Sequence, residues 1–106
     1  MRVGVDMRTV YQRRRRGTGK NLVDLYTTVA ALRPDWQFVM FHRGQGGDDP
    51  FEHLANVENR CIDIPGDRLN LWERIRLPLA VRADKIDVLH CPAGTGPRRP
   101  KAPMVV

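Results

Sequence analysis

Apolar positions along the chain change their period several times, and each change marks an element. Arg2-Val-Gly-Val-Asp6 is a short apolar run that reads as a buried opening strand. From Thr18 the spacing turns helical, with Leu22, Leu25, Tyr26, Val29, Ala30 and Leu32 as the apolar positions. Thr18 suits the cap of that helix, and Pro34 stops it after Arg33. Gln37-Phe-Val-Met-Phe41 is nearly continuous in apolar residues, the pattern of a strand covered on both faces in a parallel sheet.

The rest of the chain repeats the alternation. Residues 44–50 are turn formers, and Phe51 to Leu54 fits a short helical turn. A third strand is expected over Val57–Ile64, with Val57, Cys61, Ile62 and Ile64 as its apolar positions. Asn70 stands three residues before Glu73, a relative of the capping box, and a helix from about Leu71 to Arg82 follows. Pro78 should kink or break that helix, because it lacks an N–H and crowds the carbonyl of Arg74. Ile86-Asp-Val-Leu-His90 reads as a fourth strand, and Pro103 to Val106 as the start of a fifth. Strands alternating with helices imply an α/β fold: a Rossmann-like three-layer domain with a mostly parallel sheet of about five strands. In such sheets ligands bind beyond the carboxyl ends of the strands, here the loops after Asp6, His42, Ile64 and His90.

A length of 106 residues suits one domain, and an end in mid-strand at Val106 is expected of a fragment of a longer protein. The apolar run at Met1 is too short for a signal peptide or a membrane span, so a cytoplasmic location is expected. Cys61 and Cys91 lie in apolar runs with no CxxC or Cys/His spacing that suits zinc. Both are expected as buried free thiols, and no metal is expected.

The net charge is +6, and its distribution carries more than its size. Arg8, Arg13, Arg14, Arg15, Arg16 and Lys20 fall in one segment without an acidic residue. Without these six, the remaining 12 basic residues equal the 12 acidic ones. A general nucleic-acid binder spreads its basic residues along a face, and aromatic residues other than Tyr11 do not interleave this run. No nucleic acid is expected as partner; a nucleic-acid or polyanion-binding module using the Arg13–Arg16 loop is the alternative reading.

The same segment fails both standard phosphate motifs. A Walker A loop would need Gly at Arg14 and Ser or Thr at Asn21, and a dinucleotide fingerprint begun at Gly17 would need Gly at Leu22. The physics of anion binding remains. Gly17 and Gly19 let a ligand approach the backbone, and a helix start offers free N–H groups and the positive end of its dipole. Gly17, Thr18, Gly19 and Lys20 are therefore the candidate diphosphate contacts, without either motif.

The opening MRVGVDMRTVYQRRRRGTGKNLVDLYTTVAAL resembles the start of group 1 (family 4 type) glycosyltransferases of the GT-B fold. RPDWQFVMFHRG, LNLWERIRLPLAVRADKIDVLHCPAGTGP and APMVV continue the likeness over essentially the whole chain. The resemblance implies that residues 1–106 are the N-terminal, acceptor-side Rossmann-like domain of such an enzyme. A C-terminal domain of the same protein would hold most of a nucleotide-sugar donor, which is a substrate and not a cofactor. The glycine loop of that family approaches the donor diphosphate, which carries over onto Gly17 and Gly19. Catalytic residues are expected beyond Val106, and this chain alone is expected to be inactive. The parent reaction would move a sugar from a nucleotide diphosphosugar to a glycan or lipid-linked acceptor.

Other candidates stand beside plainer readings. Asp6 suits a sugar hydroxyl or a turn that organises Arg8 and Thr9. His90 suits an acceptor hydroxyl or a bond to backbone. His42 occupies the same place on the second strand, and His53 reads as solvated. Thr95, between two glycines, suits an acceptor pocket or a loop without one. Trp36 and Trp72 read as packing residues. Arg98, Arg99 and Lys101 suit an anionic membrane surface or a lipid-linked phosphate, which would make the protein peripheral at the inner face of a membrane.

Overall fold

The computed structural model of the protein describes residues 1–8, 10, 17–43, 49–62, 71–92 and 103–105. Five strands form one sheet in the order β3-β2-β1-β4-β5. They are β1 (Arg2–Asp6), β2 (Gln37–His42), β3 (Val57–Cys61), β4 (Val88–His90) and β5 (Met104–Val105). Every pairing is parallel, with Gly4 opposite Val39 on one side and Leu89 on the other. The α/β, Rossmann-like expectation holds, and the sheet is all-parallel.

The sheet's two faces are covered by different helices. Helix α1 (Gly17–Leu32) lies on the face of Val3, Val5, Phe38 and Met40, which share one core cluster with Leu22, Tyr26 and Ala30. The opposite face carries Val39, Phe41 and Leu89, clustered with Trp72, Leu77 and Val81 of the second helical stretch. That is the three-layer arrangement the near-continuous apolar run of β2 requires.

Several expectations change in detail. Helix α1 begins at Gly17, so Thr18 belongs to its first turn and does not precede it. Leu25 and Leu32 are exposed, at 48% and 72%. The buried stripe is Leu22, Tyr26 and Ala30, and at roughly 100° per residue Leu25 and Leu32 fall well to one side of it. The end of α1 is held by Asn56, whose Nδ2 donates to the carbonyls of Ala30, Arg33 and Trp36 at 3.1, 3.2 and 3.1 Å. The Ala30 carbonyl belongs to the last turn, which a helix leaves without an intrahelical partner, and the other two tie down the turn that leads into β2.

The third strand stops at Cys61. Ile62 is buried just past it, and Ile64 lies outside the described residues. Cys61 is exposed and not buried. β3 has a neighbour on one side only, and among its residues only Val57 packs against a helix-bearing cluster. The fourth strand starts at Val88, with Ile86 buried ahead of it.

The expected break at Pro78 does not occur. Residues 71–83 stay helical: a π-helical segment (Trp72–Arg76) runs directly into α2 (Leu77–Ala83), with Pro78 near the α2 start. Leu77 N–H donates to the Trp72 carbonyl, an i to i−5 bond that widens the turn just before the proline. The wider turn relieves the crowding that an α-helical turn would impose. Asn70 lies outside the described residues.

Candidate functional site

The strand order reverses between β1 and β4. The chain adds β2 and β3 on one side of β1, then crosses to add β4 and β5 on the other. The carboxyl ends of β1 and β4 are thus the point of reversal, the place where open parallel sheets bind ligands. Two polar groups sit at this edge, one under each helical layer.

On the second-helix face lies an ion cluster. Asp6, buried at the end of β1, takes the Arg8 guanidinium in a fork: Nε to Oδ1 at 3.0 Å, Nε to Oδ2 at 3.2 Å and Nη2 to Oδ2 at 2.7 Å. The Arg8 backbone N–H adds a fourth bond to Oδ1 at 3.2 Å. The guanidinium also lies 4.3 Å from the Trp72 ring centroid, a cation–π placement. Glu73 approaches Arg8 Nη2 at 3.9 Å, and its Oε1 is buried without a hydrogen-bond partner among the described residues. Burial pulls the Arg8 pKa down, but Asp6 and then Glu73 outweigh it, so the net shift is upward. Cys91 is buried beside the same charges, and burial followed by Asp6 and Glu73 pushes its thiol up to about 11. Asp6 is thus a turn-organising residue locked to Arg8. With two carboxylates and one guanidinium, the cluster carries a net negative charge and suits a hydroxyl better than a phosphate.

On the α1 face, Tyr26 and His90 meet. The Tyr26 hydroxyl is hydrogen-bonded to His90 Nδ1, and the two rings lie 5.9 Å apart. His90 is bonded here to a side chain and not to backbone. Burial pushes the Tyr26 pKa up to about 12 and lowers that of His90. The Tyr26 ring is itself fixed by edge-on packing against Phe38.

Tyr26 reaches the end of β4 from α1, and Leu22 shares a core cluster with Met7 and Val10, which follow β1. Gly17, Gly19 and Lys20 lie at the start of α1, with Gly19 buried and Lys20 exposed. Gly17 and Thr18 are placed here by their backbone. Thr95, Arg13–Arg16, Arg98, Arg99 and Lys101 lie outside the described residues.

The remaining candidates are structural. His42 is buried and its Nε2 is 3.3 Å from Asn59 Oδ1; burial lowers its pKa, against a smaller opposing effect of Asn59. His53 is exposed, Trp72 is fully buried, and Trp36 packs half-buried beside Phe38. Among the described residues, no three His, Cys, Asp or Glu side chains converge as a metal site would need. No helix among them is long and apolar enough to cross a membrane.

Sequence reasoning placed Asp6 and His90 at this edge and paired Asp6 with Arg8, but missed Tyr26 as the partner of His90 and the approach of Trp72 and Glu73 to Arg8. Glu73 entered only as a capping residue, Trp72 as packing and Tyr26 as one more apolar helix position. No known protein family, curated protein or solved structure matches the chain.

Proposed function

We propose that the chain is the acceptor-side domain of a GT-B-type glycosyltransferase, which moves a sugar from a nucleotide diphosphosugar to a hydroxyl-bearing acceptor. One observation carries the reading. The β1/β4 switch point carries polar side chains suited to a hydroxyl, Glu73 and His90, and the helix that follows β1 opens with a glycine-led turn suited to a diphosphate. Helix N–H groups can stabilise the leaving diphosphate as its charge develops.

The test uses the full-length protein that carries this chain. Transfer of labelled sugar from a panel of nucleotide diphosphosugars is measured for wild type and Gly19→Val. The reading expects transfer with at least one donor and a turnover loss of about 100-fold or more in the variant, since an interaction with developing charge is worth that much. Absence of transfer across the panel, or unchanged turnover in the variant, contradicts it.

A further inference from the structure

The Tyr26–His90 pair fixes more than the position of a ring. Tyr26 is buried, and its hydroxyl makes one hydrogen bond among the described residues, to His90 Nδ1. A buried hydroxyl proton left without an acceptor is costly. If Nδ1 carried a proton and donated to the tyrosine oxygen, the Tyr26 proton would have no acceptor among the described residues. The favoured arrangement has Tyr26 donating and Nδ1 accepting. A neutral imidazole carries a single N–H, so the proton must then sit on Nε2. Burial, which disfavours the imidazolium, works in the same direction.

We infer that Tyr26 locks His90 as the Nε2–H tautomer, so that His90 offers the β1/β4 crevice a fixed hydrogen-bond donor for a ligand oxygen, not a proton-accepting base. His90 is half-buried at the end of β4, and Nδ1 is occupied by a side chain from another layer. Among the described residues no hydrogen bond engages Nε2, which is the ring atom left for a ligand, and as an N–H it can only donate. A phosphoryl oxygen and a sugar hydroxyl oxygen both accept such a bond, so the ligand class is an oxygen acceptor. Tyr26 is the positioning residue. The tautomer assignment stands without the proposed function; only the identity of the ligand rests on it.

Two-bond proton–nitrogen correlation NMR on histidine-labelled protein reads the tautomer directly in the ligand-free chain at pH 7.5. The expected result is His90 with its proton on Nε2 and an unprotonated Nδ1. A proton on Nδ1, or an even mixture, overturns the lock. Tyr26→Phe keeps the ring that packs on Phe38 and removes only the donor, so His90 should relax to a mixture of tautomers. An unchanged pure Nε2–H signal in that variant overturns the role of Tyr26, and the wild-type spectrum decides the tautomer even if the variant does not fold. Inorganic pyrophosphate and glucose are then titrated separately. Movement of the Nε2 signal with a singly protonated ring supports the donor role, and the probe that moves it tells phosphoryl from hydroxyl. Movement with neither probe, or gain of a second ring proton, overturns that role. Failure of sugar transfer with an intact Nε2–H tautomer would count against the glycosyltransferase reading alone.

Discussion

Removing the Asp6 carboxylate should unfold the switch point before it disturbs anything else. Asp6→Ala deletes three side-chain contacts and one backbone contact to Arg8, the shortest at 2.7 Å. Breaking one partner out of a fully buried ion pair costs about 3–5 kcal/mol. Here the Arg8 side chain keeps 22% exposure, and Glu73 at 3.9 Å partly compensates the stranded charge. The expected loss is therefore lower, about 2–3 kcal/mol. At a urea dependence of about 1.5 kcal/mol per molar, the midpoint falls by roughly 1.5–2 M. Intrinsic fluorescence reports the transition, because Trp72 is fully buried under the Arg8 guanidinium. Arg8→Met keeps an apolar stem over the indole and removes the charge. The double variant should lose less than the sum of the two singles by about 1–3 kcal/mol, the mark of a direct pair. Glu73→Gln, which removes no hydrogen bond to Arg8, should cost less than about 1 kcal/mol. A loss below about 1 kcal/mol for Asp6→Ala, or strict additivity with Arg8→Met, would refute the coupled site.

Gly4→Ala should destabilise the chain, because an added Cβ would stand 2.9 Å from Phe41 Cε2 and 3.0 Å from Ile86 Cγ2, both in the core. Overpacking of this kind costs about 1–3 kcal/mol, against about 0.5–1 recovered from the less flexible unfolded chain; an unchanged thermal midpoint would count against the close approach. Iodoacetamide at pH 8 should add one label, on exposed Cys61, and spare buried Cys91, whose thiol ionises only near 11; mass spectrometry of the native protein with equal labelling at both sites would contradict this. His42 and His90 both have pKa values below the ordinary 6.5, so the unfolded chain binds protons more readily than the folded one. Their contribution is complete above pH 6.5 and is lost as the pH falls through the folded values. The urea midpoint should drop from pH 7.5 to 5.5, and His42→Gln or His90→Gln should flatten that drop; an unaltered slope in both variants would refute it.

What the chain reveals before folding is set by how local each signal is. β1, β2 and α1 are legible because strand and helix periods are written in consecutive residues. β2 even announces a parallel sheet, since four successive apolar residues need cover on both faces. Cys61 is misread because the same alternation does not say that β3 is an edge. Pro78 is legible as a disturbance of the helix, but that the helix runs on is not, because the chain widens one turn ahead of the ring. At the site, Asp6 and His90 are visible as strand-end residues. Arg8, two residues on, is visible as the partner of Asp6; the partner of His90 is not, because Tyr26 lies 64 residues before it and resembles any other stripe residue until the two layers meet. Arg8, counted with the basic segment, proves to be neutralised by Asp6, so the charge excess there is smaller in effect than in number.

The central claim is that the carboxyl edge of the sheet, at β1 and β4, is the binding edge. Amide chemical-shift mapping during titration with a nucleotide diphosphosugar tests it most directly. The account predicts shifts gathered at Asp6–Arg8, Gly17–Lys20 and His90–Cys91. Shifts gathered instead at the opposite edge, at Arg2, Gln37 and Asp87, would contradict it.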